Sequence, residues 1–186
     1  HTWGQHPWCK MYWDGSKPAA NNPFYNADAP HNWSVGNDWK QESTAVQNYL
    51  CDVLKYWLTE YKIDGYRFDL VKGLGDSNSY SSDYDGGKYN ASRVRNMKRF
   101  IDAIKSVNSN AYCILEGFLS TQEENELGNY GAMSWKKMTY NYSQAAKGTQ
   151  SGSSFTGMYH GDESRPFGSI VGYQESHDEQ RVAYEQ

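Results

Sequence analysis

Apolar and polar positions change period along this chain, and the changes mark out its elements. From about Ser43 to Tyr61, Val46, Tyr49, Leu50, Val53, Leu54, Trp57, Leu58 and Tyr61 recur at helical spacing, with Ser43 as the candidate cap. Val94, Met97, Phe100, Ile101, Ile104 and Val107 predict a second amphipathic helix over about Ser92 to Val107. Short β-rich runs follow each helix: Ile63 to Leu70, Ala111 to Glu116, and one beginning near Ile170. The stretch from Gly131 to Met138 carries the weakest pattern. Residues 73–90 and 141–168 are rich in Gly, Ser and other turn formers. Residues 1–38 hold Pro7, Pro18, Pro23 and Pro30 without sustained periodicity and read as one long loop, a length usually reserved for function.

The run Gly65-Tyr66-Arg67-Phe68-Asp69-Leu70 is the most informative. Side chains in a strand alternate faces, so Gly65, Arg67 and Asp69 share one face and Tyr66, Phe68 and Leu70 the other. If the apolar set packs on covering helices, the cation and the carboxylate point into a closed sheet. A barrel of parallel strands ringed by helices meets that condition, with its active site at the carboxyl ends of the strands. Taken alone, an Arg-x-Asp pair is more often a structural ion pair. Two further runs end in acids, however: Ile114-Leu115-Glu116, and Tyr173-Gln174-Glu175-Ser176-His177-Asp178.

With those residues in view, the chain resembles the alpha-amylase superfamily of glycoside hydrolases. Gly65, Arg67, Asp69 and Lys72 match that superfamily's Gly-x-Arg-x-Asp-x-x-Lys signature. Glu116 matches the glutamate that ends its next signature, and His177-Asp178 the His-Asp that closes the last. His1 stands where an earlier Asn-His motif ends. The resemblance implies an α/β fold, a partial TIM (β/α)8 barrel from about the end of strand three to just after strand seven. Met133-Ser134-Trp135 then falls on strand six, and residues 1–38 form the loop after strand three, a reduced counterpart of the family's domain B. Spacing agrees. Asp69 and Glu116 are 47 residues apart, and Glu116 and Asp178 are 62 apart. One βα unit takes about 31 residues, since eight take roughly 250. The longer interval fits two units, and the shorter fits one unit enlarged by the loop at 73–90.

At 186 residues without an initiator methionine, the chain reads as an internal fragment of one catalytic barrel. A partial parallel sheet leaves open edges and an uncovered core, which predicts poor stability in isolation.

The resemblance also assigns roles. Asp69 is the expected nucleophile, held anionic by Arg67. Glu116 is the expected general acid/base; no basic residue neighbours it in sequence, so desolvation is expected to favour its protonated form. Asp178 is the expected third carboxylate, stabilising the transition state. Arg67, His177, His1 and Lys72 are expected substrate-binding residues. Glu175, three positions before Asp178, is excluded only by the His-Asp match. The acids of Glu123-Glu124-Asn125-Glu126 read as a solvated helix face.

The chemistry requires no cofactor and no metal. In familiar amylases a histidine after the lysine gives its carbonyl to a structural calcium ion; Gly73 stands there instead, so calcium is an open option. The implied partner is an α-glucan oligosaccharide or polysaccharide. Net charge is −4 with no basic run, which argues against nucleic acid and anionic membranes. No apolar stretch approaches the roughly 20 residues of a spanning helix. Cys9, Cys51 and Cys113 have no zinc spacing and leave the compartment open; Cys113 reads as a core residue. Aromatics make up 16% of the chain, and five of seven tryptophans (Trp3, Trp8, Trp13, Trp33 and Trp39) fall early, where they either stack on sugars or staple the loop. Three functions stay open: an α-glucan hydrolase, an α-1,6 debranching or glucan-transferring relative, and a non-catalytic carbohydrate-binding barrel.

Overall fold

A computed structural model of the chain describes residues 10–32, 36–83 and 85–185. Its centre is a four-stranded parallel sheet in sequential order: β3 (Gly65–Phe68), β4 (Tyr112–Leu115), β5 (Met133–Lys137) and β6 (Ile170–Tyr173). Between these strands run α2 (Ala91–Val107) and α3 (Thr121–Asn129), with α4 (Thr139–Ala146) after β5. Before them come α1 (Thr44–Glu60) and a two-residue antiparallel pair, β1 (Trp13–Asp14) and β2 (Lys17–Pro18). Unbroken βα alternation with neighbouring strands parallel is an arc of a (β/α)8 barrel. The arithmetic of acid spacing placed these strands correctly.

The core forms where helical and strand periods meet. Leu54 and Leu58 of α1, Val94, Met97, Phe100, Ile101 and Ile104 of α2, and Cys113 and Leu115 of β4 make one buried cluster. Tyr66 and Phe68 pack against it from β3, so the expected facing of that strand holds. Gly65 is dictated by close approach. A Cβ there would meet the Tyr112 carbonyl oxygen at 2.3 Å, too near for any side chain.

Two local expectations are corrected. Ser43 occupies the N-cap position of α1, yet its hydroxyl donates to the Pro23 carbonyl at 2.8 Å and caps nothing. It ties the preceding loop down instead. β3 ends at Phe68, because Leu70 turns into the left-handed region at φ 40°. Asp69 therefore sits beyond the ladder, at the strand's carboxyl end.

The loop preceding α1 packs Tyr25 and Trp39 against Val46 of α1 as a second small core, with Trp39 stacked on Tyr49 of the same helix. For Trp39 the stapling reading fits: it is buried. Trp3, Trp8, Trp33, Cys9 and His1 lie outside the described residues. Asp76 locks this loop to the segment after β3, accepting from Asn26 Nδ2 and from the backbone N–H groups of Gln41 and Glu42.

Candidate active site

The site is built on the face of the sheet opposite the helical core. Strand register puts Arg67 beside Ile114, and Trp135 beside Val171. Two residues on, Tyr173 pairs with Lys137, so Arg67, Trp135 and Tyr173 look into the same side.

Arg67 is the hub. Its Nη1 donates to Asp69 Oδ1 at 2.9 Å, and its Nη2 lies 2.6 Å from Glu116 Oε1. Acids 47 positions apart thus share one guanidinium. The second Glu116 oxygen, Oε2, accepts the Leu70 backbone N–H at 3.0 Å. The left-handed turn at Leu70, unusual for a residue with a side chain, is what aims that amide at the carboxylate. Backbone bonds from Val71 N to the Glu116 carbonyl and from Glu116 N to the Phe68 carbonyl clamp the two strand ends together. Glu116 is 8% exposed, whereas the Asp69 side chain is 62% exposed. Glu116 has no basic neighbour in sequence, and its cation arrives from β3, across the sheet.

Asp178 and His177 stand on the exposed loop after β6, with His177 Nε2 3.4 Å from Asp178 Oδ1. Neither is hydrogen-bonded to Asp69 or Glu116. The Tyr173 hydroxyl is pushed up to about 12. Burial is the main cause, followed by the charges of Glu179, Glu116 and Asp178, against the opposing pull of Arg67. Glu175 has a different occupation. It accepts from Val182 N at 2.8 Å and Arg181 Nη1 at 3.0 Å, closing the loop on itself, and these bonds hold its carboxyl below the usual range. Lys72 follows Asp69 in a 3-10 turn, its ammonium 3.8 Å from Asp85.

Trp135 and Tyr173 escaped the sequence reading as site residues. Trp135 lies under Arg67, its ring 4.4 Å from the guanidinium carbon, and Tyr173 meets it edge-on at 5.3 Å. The available signal was strand alternation through Met133-Ser134-Trp135 and Ile170 to Tyr173, which puts both on the acid-bearing face once the register is known. A groove of about 430 Å³ is also lined by Arg67 and Asp69 together with Leu50, Val53 and Trp57. It does not centre on the carboxylates.

Among the described residues, no group of three or more His, Cys, Asp or Glu side chains is placed to hold a metal ion.

Residues 27–183 match the family model of the alpha-amylase catalytic domain. The chain belongs to the alpha-amylase family. A 54-residue stretch is 35% identical to the glycogen debranching enzyme of Salmonella typhi, covering 28% of this chain and 8% of that protein. The glycogen debranching enzyme of Salmonella paratyphi B matches to the same extent. Among solved structures, Eubacterium rectale Amy13B is similar with a TM-score of 0.64 at 17% identity, over 92% of this chain and 38% of its own. That likeness is one of fold. The chain spans well under half of the solved amylase-family structure, and its match covers less than a tenth of the debranching enzymes.

Proposed function

We propose that the full-length protein is a retaining glycoside hydrolase acting on α-glucans. The observation that carries this reading is the single guanidinium of Arg67 holding Asp69 and Glu116 together at the carboxyl ends of adjacent strands. Retaining cleavage uses two carboxyl groups close enough to flank one anomeric carbon. Asp69, exposed and paired with a cation, is suited to attack that carbon as the nucleophile. Glu116 gives its proton to the departing glycosidic oxygen, leaving a glycosyl ester on Asp69. In the second step Glu116 takes a proton from water as the water attacks, and Asp69 leaves as the free carboxylate.

Geometry also supports a choice between the two Glu116 oxygens. Oε1 is fixed by a charge-assisted contact, while Oε2 meets one neutral amide. Oε2 is the oxygen that exchanges the proton. Asp178 and His177, on the loop that adjoins Tyr173, supply hydrogen bonds to hydroxyls of the bound sugar.

A second reading, cleavage at α-1,6 branches, is favoured by the match to glycogen debranching enzymes. Product analysis on amylose against pullulan separates the two. Glu116→Gln in the full-length protein is expected to cut turnover of a poor-leaving-group glucan by about 10²- to 10⁴-fold. Wild-type turnover in that variant overturns the assignment, and a wild-type protein that binds but never cleaves glucan leaves only a carbohydrate-binding barrel.

A further inference from the structure

The guanidinium of Arg67 is unevenly satisfied. Its two terminal nitrogens serve Asp69 and Glu116, but its buried Nε–H has no hydrogen-bond partner among the described residues. Two bonds at one end leave a planar group free to rock about its stem. What resists rocking is the flat face beneath it, the Trp135 ring at 4.4 Å. Such a contact is attractive because the ring's negative face meets the cation, and it gains strength as water is excluded. Trp135 is itself wedged, with Tyr173 edge-on at 5.3 Å from the neighbouring strand. The chain of contact runs from β6 through β5 to the cation on β3, ending on both carboxylates.

We infer that Trp135 is a positioning residue that seats Arg67 so that one cation serves Asp69 and Glu116 together. The inference rests on the proposed hydrolytic reading, since it says how that machinery is held. An aliphatic residue at this position lets the guanidinium tilt off Glu116, at the end of the neighbouring strand, before it loses Asp69, two residues away on its own. Proton delivery then suffers more than nucleophilic attack.

The test uses the full-length protein as wild type, Trp135→Leu and Trp135→Phe. Each is assayed on a natural α-glucan and on an aryl α-glucoside whose leaving group needs no proton. Trp135→Leu is expected to lower kcat on the glucan about 3- to 30-fold, the range of one cation–π contact, with KM within about two-fold. The loss on the aryl glucoside is smaller, and Trp135→Phe, which keeps a ring face, restores most of the rate. Equal losses on both substrates at matched folded fraction, or wild-type kcat on glucan in Trp135→Leu, overturn the seat. Crystal structures keep the two ideas apart. If the wild type cleaves no glucan, the hydrolytic reading falls by itself. The seat is then judged by whether the 2.6 Å Arg67–Glu116 contact is lost in Trp135→Leu, as expected, or retained, which refutes it.

Discussion

Two arginine–glutamate pairs in this molecule are built from the same chemistry and serve opposite ends. Arg93 on α2 and Glu123 on α3 are both fully buried, joined by two bonds of 2.7 Å. The other Arg93 donors reach the Lys72 and Lys88 carbonyls, and Glu123 also accepts from Asn90 N. Every direction is filled. Arg67 and Glu116 sit at the rim instead, with the cation divided between two acids, one of them open to solvent. A saturated buried pair cannot change partners without unfolding its surroundings. An under-saturated pair at a rim can, and the proposed acid/base chemistry requires that exchange. The two are also linked, since the Lys72 carbonyl held by Arg93 and Tyr80 lies in the turn that follows Asp69.

Breaking the buried pair gives the largest expected effect on stability. Glu123→Ala strands the Arg93 cation without water, and the unfolding free energy of the full-length protein falls by about 3–5 kcal/mol. Urea denaturation measures it. Replacing both partners with apolar residues of similar volume recovers most of the loss, because a buried pair repays little more than its own desolvation. A loss below about 1 kcal/mol in the single variant places the pair with ordinary surface contacts and ends the comparison.

The same contrast of interior and rim runs along β4, from Cys113 on the core face to Glu116 at the open end. Burial pushes the Cys113 thiol up to about 11 from an ordinary value of 9.0, against a weaker pull from Lys105. Below pH 9 both the folded and unfolded chains keep the proton, so the contribution to stability is complete. Between pH 9 and 11 only the unfolded chain ionises, and the folded state loses about 2–3 kcal/mol as pH rises. Stability of the full-length protein followed over that window should fall more steeply in wild type than in Cys113→Ala. Parallel slopes sink the argument.

These contrasts also show how far the sequence could be read. Both long helices, three of the four sheet strands and the facing of β3 followed from local pattern, because burial selects side chains one face at a time; β5 followed only from the family resemblance. Three candidate acids came from motif and spacing, and two of them, Asp69 and Glu116, meet on Arg67. What escaped depends on register between strands. Nothing near Glu116 in sequence announces Arg67, and nothing near Arg67 announces Trp135; Glu116 meets Arg67 from the next strand and Trp135 meets it from the strand after that. The tetrad Glu123-Glu124-Asn125-Glu126 misled for the same reason. It reads as a solvated face, yet Glu123 is buried on Arg93 and Glu124 meets the buried Arg165. A charge run is solvated only where no opposing element brings a cation, and sequence does not say where that element lies.

Glu126, three residues beyond Glu123 on the same helix, sharpens the comparison with the smallest effect. Lys98 Nζ approaches its Oε1 at 2.7 Å and the Tyr89 hydroxyl donates to its Oε2 at 2.7 Å, in partly exposed surroundings. These bonds hold the Glu126 carboxyl below its usual range, the lysine bond first. Geometry alone makes this pair look as strong as Arg93–Glu123. Solvent screening predicts otherwise: Lys98→Met should cost no more than about 1 kcal/mol, and added salt should shrink that cost further. Denaturant midpoints at low and high salt measure both quantities. If Lys98→Met instead costs as much as Glu123→Ala and ignores salt, bond length rather than burial sets the strength of these pairs. The distinction between the saturated interior and the exchangeable rim would then lose its physical basis.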